Sequence, residues 1–278
     1  MILSIGAYFS YAAAFSDQKP ASNHRRDVGM ELLVQQNQLE REGTELEEAF
    51  QFEPAKEKFR QAIEIGKRMA PRQDYWRPTS FYVRVLQKEG KYDEAFKEMS
   101  RLSETAPENE HFSDKKKELE TLVKARDLNN DSPIRQYIEF IKEKYAAGLP
   151  PKGYGGFGII RITTIFRLYD AIGDYDAGIA YIGEIMTFLK LRKKGRGEDF
   201  QIYDQIKTTK DANACLQLGA NKNPNWHGCK LIREYLFVRE GFEQDKAEGR
   251  KSCINAKPGE ICMGRATKAL IQSDYFPW

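Results

Sequence analysis

Apolar residues along this chain recur at helical spacing. Between Met30 and Ala70 they fall at Leu32, Leu39, Leu46 and Phe50, then at Phe59, Ala62 and Ile63, with charged residues filling the gaps. Such steps place one stripe of side chains on one face of an α-helix, whereas a strand would need period two. Val and Ile rarely alternate with polar residues anywhere, so the spacing predicts an all-α chain. Breakers divide it. Pro71 ends the first hairpin, since proline cannot continue a helix interior. Helices over 79–87 and 92–105 form a second hairpin, and a helix over 114–128 stops at Asn129-Asn130-Asp131. Ser132-Pro133 reads as an N-cap with proline at the first helical position, opening a helix to about Ala147. After the prolines and glycines of 150–158, helices are predicted over 159–172, 175–191, 199–218, 230–239 and 265–273. Loops are expected at 221–228 and 241–264.

One pattern comes round three times. Gly90-Lys91-Tyr92-Asp93-Glu94-Ala95 is followed by Met99, Leu102 and Pro107. Gly173-Asp174-Tyr175-Asp176-Ala177-Gly178 is followed by Ile182 and Ile185, and a degenerate copy reads Phe52-Glu53-Pro54-Ala55, then Phe59 and Ala62. Aligned on these turns, the units 36–69, 76–109 and 159–192 are each 34 residues long. Gly43, Tyr82, Leu86, Phe166 and Tyr169 take their places on the first helices. The pattern resembles the tetratricopeptide repeat, with small residues where helices cross and larger ones between them. The match has gaps: no unit has the early Trp, and Val83 stands at a small position. The segment 110–158 holds two helices without the signature, and could be a divergent repeat.

The resemblance implies a right-handed superhelical stack of helical hairpins, an α-solenoid whose first helices line a concave face for a protein partner. On that face the candidate contacts are Thr79, Tyr82 and Leu86 in unit two, with Ile162 and Tyr169 in unit three. Aromatics near the unit openings (Tyr75, Trp76, Phe81, Tyr154, Phe157), with Arg72, Arg77 and Arg84 among them, have the composition of binding hot spots, although most could fill grooves between helices.

The ends differ from the middle. Residues 1–16 carry no charge and have the apolar character of a secretory signal, with Ala14 and Ser16 framing a possible cut, although no Lys or Arg precedes them. A polar lead-in over 17–29, the repeat region 30–192 and a helical C-terminal region 193–278 complete the expected organisation. Cys215, Cys229, Cys253 and Cys262 all lie in that last region, which then reads as a cap held by two disulfides in an oxidising compartment. His227 beside Cys229 leaves a zinc site or a reactive thiol open, but no Cys-x-x-Cys pair supports metal. Periplasmic, secreted or envelope-associated placement follows, with a cytoplasmic chain as the alternative.

Chemistry is sparse. A net charge of +3 from 44 basic and 41 acidic residues provides no broad field for nucleic acid. Gly153-Tyr154-Gly155-Gly156-Phe157-Gly158 fits a dinucleotide formula, yet no strand precedes it. Asp127 to Asp131 opens like a calcium loop but lacks its later ligands. The three histidines form no catalytic or metal arrangement, and the acid pairs Glu47-Glu48 and Asp93-Glu94 read as solvated faces. The sequence therefore predicts a non-catalytic protein-binding scaffold without cofactor or metal. One alternative is a structural subunit of a membrane-associated complex, held by the N-terminal segment. The other is a small-ligand or enzymatic scaffold, which an internal polar pocket would favour.

Overall fold

The computed structural model describes residues 23–69, 76–107, 109–146, 157–194, 205–217, 219, 226–254, 256 and 263–273. Among these, regular structure is entirely helical: α1 (Asn23–Glu48), α2 (Phe52–Met69), α3 (Trp76–Lys88), α4 (Tyr92–Thr105), α5 (Glu110–Asp127) and α6 (Ser132–Ala146). Then come α7 (Phe157–Ile172), α8 (Tyr175–Lys194), α9 (Thr209–Leu216), α10 (Trp226–Ala247) and α11 (Arg265–Gln272). Through α8, each helix packs on the next in sequence; α10 packs on α8 and α9, and α11 on α10 and α7.

The apolar stripes account for these contacts. Phe52, Ala55, Phe59, Ala62 and Ile63 are the buried apolar face of α2. Tyr92, Ala95, Met99 and Leu102 are that of α4. Each buried Phe, Ile, Leu or Met among them contributes about 1.5–3 kcal/mol. Gly43 shows why one crossing position is small: a Cβ there would stand 2.6 Å from the Phe59 ring.

The turns that follow α1, α3, α5, α7 and α10 are alike. Each contains one residue at positive φ: Phe50 (59°), Gly90 (70°), Asn129 (50°), Gly173 (70°) and Gly249 (62°). In each, the next amide donates to a carbonyl five residues back: Gln51 to Leu46 (2.8 Å), Lys91 to Leu86 (2.9 Å), Asn130 to Ala125, Asp174 to Tyr169 and Arg250 to Asp245 (each 3.0 Å). This satisfies the orphan carbonyls of the helix end and reverses the chain. The α5–α6 pair within 110–158 thus turns as the pairs α1–α2, α3–α4 and α7–α8 do. Asn129 supplies the left-handed residue there, as Phe50 does after α1 and glycines do after α3, α7 and α10.

Three expectations shift at element ends. α1 begins at Asn23, inside the polar stretch expected to be a lead-in. The residues before it, including 1–16, lie outside the described residues. α10 runs to Ala247, past Gly241, where a loop was expected. Gly241 is not a stop: a Cβ there would come within 2.5 Å of the Ala266 amide nitrogen, so its missing side chain admits the start of α11. Within the helix predicted over 199–218, residues 206–208 are not helical, and α9 starts at a capping box where Thr208 and Asp211 exchange side chain-to-backbone hydrogen bonds; 199–204 lie outside the described residues.

α7 is the central helix. Every residue from Ile162 to Asp170 is buried, among α5, α8, α10 and α11. Beyond it, Cys215 of α9 is bridged to Cys229 of α10, beside a small cluster of Ile206, Ala212, Ile232 and Leu236. Cys253 is disulfide-bonded too. Cys262 lies outside the described residues.

Close packing at Gly43 should be directly measurable. Gly43→Ala is expected to lower stability by about 1–2 kcal/mol in urea denaturation, because overpacking costs about 1–3 and helix propensity returns at most about 1. Gly183→Ala, in α8 with nothing within 4 Å of the added Cβ, should raise it by about 0.5–1 kcal/mol. Two shifts of the same sign would remove close packing as the reason for Gly43.

Candidate functional site

The side of the molecule formed by α1, α3, α5 and α7 is charged inside as well as out. Arg77 on α3 binds Glu40 and donates to Asn37 Oδ1 (2.8 Å) on α1. Seven residues on, Arg84 donates to Glu47 (2.7 Å), which also receives Lys88. The two sets advance in step, so α1 and α3 run in the same direction. Trp76 meets Phe112 (ring centroids 5.8 Å) and Gln87 donates to Glu118 (2.8 Å), which makes α3 and α5 parallel. Arg161 faces Asp114 (3.8 Å) and Arg167 donates to both oxygens of Glu118 (3.1 Å each), which makes α5 and α7 parallel.

Glu47 and Glu118 are only 1% and 2% exposed, which decides their role: neither is a surface carboxylate. The expectation that Glu47 and Glu48 form one solvated face is therefore corrected. Glu48 is exposed, but Glu47 points between helices because α3 presents Arg84 and Lys88 to it. Asp93 and Glu94 are both exposed, and Asp93 holds Arg126 of α5 (2.5 Å).

Between α3, α5, α6 and α7 lies a cavity of about 140 Å³. α3 contributes Trp76, Arg77, Phe81 and Arg84; α5 contributes His111, Asp114, Lys115 and Glu118. Tyr137, Phe140 and Ile141 of α6 form the apolar wall, and Arg161, Thr164 and Arg167 of α7 the far side. Among the described residues, five basic side chains line it with two carboxylates. The cavity also lies toward the N-terminal halves of three parallel helices, whose dipoles add positive potential. At its rim Trp76 is 43% and Phe140 39% exposed, enough to meet a ligand or partner.

The charge balance shows in the ionisation of its groups. Burial, then the neighbouring Arg167, pushes the Lys115 ammonium down to about 7, although Glu118 at 3.0 Å pulls the other way. Burial and Arg84 likewise bring Lys88 to about 8 against the pull of Glu47. Burial alone would raise Glu118, but Arg167 and Lys115 outweigh it and hold the carboxyl at about 2. His111 is lowered by burial and then by Lys115.

Of the five candidate contacts read from the sequence, Thr79, Leu86, Ile162 and Tyr169 are buried in the isolated chain. Tyr82 is partly exposed, and its hydroxyl accepts from Arg60 of α2 (3.1 Å). Arg77 and Arg84, singled out among the arginines near the unit openings, both reach the cavity. Lys115, Glu118, Arg161 and Arg167 were not singled out; their spacing on α5 and α7 is no different from that of solvated charges. Arg72, Tyr75, Tyr154 and the glycines 153–156 lie outside the described residues. Cys229 is in a disulfide, so it offers His227 neither a reactive thiol nor a zinc-binding thiolate. Among the described residues, no group of three His, Cys, Asp or Glu is placed to hold a metal ion.

Glu118→Gln removes the buried carboxylate that Lys115 and Arg167 share and should cost about 3–5 kcal/mol in chemical denaturation. Lys115 is predicted to tie stability to pH. Between about 7 and its ordinary 10.5 it binds fewer protons folded than unfolded, so stability rises with pH across that window. Lys115→Met should flatten the rise between pH 7 and 9, and parallel profiles for the two proteins would exclude Lys115 as its source. No family model matches the chain, and no curated protein or solved structure matches it.

Proposed function

We propose that the protein is a non-catalytic scaffold of the tetratricopeptide-repeat type, a right-handed stack of hairpins that holds another protein against the side formed by α1, α3 and α5. The observation that carries this reading is the parallel run of α1, α3, α5 and α7. Alternate helices run parallel when antiparallel hairpins stack in series, and such stacks present one continuous face. The recurring left-handed turn supports it, because it builds the α5–α6 hairpin as it builds the others. Trp76 and Phe140 at the cavity rim have the chemistry of binding anchors and replace the buried four as the expected contacts.

The Cys215–Cys229 bridge favours an exported protein working in an oxidising compartment, since such bonds persist there and are rare in the cytosol. An envelope subunit retained through residues 1–16 is the second reading, favoured by the apolar character of that segment. No helix among the described residues is long and apolar enough to cross a membrane.

A photo-crosslinking amino acid placed at Trp76 or Phe140 in cells should capture one distinct protein. The same group at Ala180, an exposed position on α8, should not. Equal yields at all three positions would sink the assignment of this face. Intact mass tests the compartment: native protein should take up alkylating reagent at Cys215 and Cys229 only after reduction. Free alkylation of both in protein taken directly from cells would remove the argument for export.

A further inference from the structure

α1 runs past the helices it packs on. Glu42 of α1 meets Lys58 of α2 (2.7 Å), and Gly43 lies against the Phe59 ring. From there α2 returns antiparallel and ends at Met69, level with Glu31 to Leu33 of α1. α3 starts deeper in the stack, since its second residue, Arg77, meets Asn37 and Glu40. At about 1.5 Å per residue, α1 extends about 12 Å beyond the end of α2 and about 20 Å beyond the start of α3. On this part of α1, Met30 (62% exposed), Leu33 (42%) and Val34 (59%) share one face, at i, i+3 and i+4. An exposed apolar residue standing alone needs no explanation, but three side by side mark a contact.

The sequence leading into α1 narrows that contact. Residues 1–16 carry no charged side chain, and only six residues, 17–22, join them to Asn23. Six residues reach at most about 20 Å, so the uncharged stretch stays near the tip of α1 whatever its conformation. An uncharged stretch and an exposed apolar strip at one end of a molecule are both suited by lipid. A protein partner fits less well, because three side chains cover far less than the roughly 1,200 Å² that a stable protein interface buries. Lipid needs no matched surface. Lys67 and Arg68, exposed on the last turn of α2, lie at the same end, and such side chains suit the headgroup layer.

We propose that the end of the stack from which α1 projects faces a lipid bilayer, with Met30, Leu33 and Val34 at the boundary of headgroups and acyl chains and Lys67 and Arg68 among the headgroups. The inference rests on the reading of the protein as an envelope subunit that keeps residues 1–16, and it names the surface that such a subunit turns to the membrane. Trp76 lies deeper, about level with Asn37, so the strip on α1 is separate from the cavity rim assigned to a protein partner.

An environment-sensitive fluorescent amino acid, dansylalanine, placed at Leu33, Val34 or Leu128 of the full-length protein tests this. Leu128 is also exposed (58%) but follows α5, at the opposite end of the stack. The protein should sediment with vesicles of equimolar phosphatidylcholine and phosphatidylglycerol. On adding the vesicles, emission should rise at least twofold at Leu33 and Val34 and stay constant at Leu128. Sedimentation without a rise at Leu33 and Val34, or with an equal rise at Leu128, overturns the inference and leaves the retained subunit standing. Protein that stays in solution removes the retained subunit along with the inference. Probes at Leu33 and Val34 that are already shielded without vesicles overturn it too: a dimeric mass would give the strip to a second copy, and a monomeric mass to residues of this chain. The crosslinking at Trp76 and Phe140 is independent of all these outcomes.

Discussion

A carboxylate buried between helices cannot stay there without cations, and that requirement ties the inner helices together. Glu47 on α1 needs Arg84 and Lys88 of α3. Glu118 on α5 needs Arg167 of α7 and accepts a hydrogen bond from Gln87 of α3. Each carboxylate therefore fixes the lengthwise register of two helices that are not consecutive in sequence. Apolar stripes alone tolerate sliding by a turn; a buried ion pair does not, because a slip would strand charge in a medium of low dielectric. The specificity of the arrangement rests here, whereas most of its stability comes from the apolar faces.

The same device closes the C-terminal region onto α7. Asp170 is buried, and it accepts from Arg250 (2.9 Å), the Gly264 amide (2.9 Å) and Thr267. Burial raises its carboxyl, with Arg250 opposing, so these donors make the position tolerable. Gly264 has no alternative side chain: a Cβ would fall 1.9 Å from an Asp170 oxygen. Ser252 and Cys253 both donate to the Ala171 carbonyl, through the hydroxyl (2.9 Å) and the amide (2.8 Å). With Phe242 set against Gly178 and Phe166, the stretch Ile162–Asp170 of α7 is buried on all sides. A plain stack in which each unit meets only its neighbours would leave that side of α7 open.

By itself the sequence determined the helical class, the hairpin boundaries at Gly90 and Gly173, and the faces of α2 and α4. Those features arise from residues within a few positions of one another, through period, proline and the left-handed freedom of glycine. Whether 110–158 turns like the other hairpins was left open, because Asn129 stands at the left-handed position that Gly90 and Gly173 take elsewhere. The length of α10 was misjudged because Gly241 looks like a helix end until α11 is set against it. The cavity was half legible: Arg77 and Arg84 stood out among the aromatics near their unit opening, while Lys115, Glu118, Arg161 and Arg167 did not. Whether a glutamate such as Glu47 faces water or a lysine depends on a helix about 40 residues away, and no local pattern encodes it. Only tertiary structure decided which charges went inside, because desolvation is a property of what packs on a residue and not of the residue.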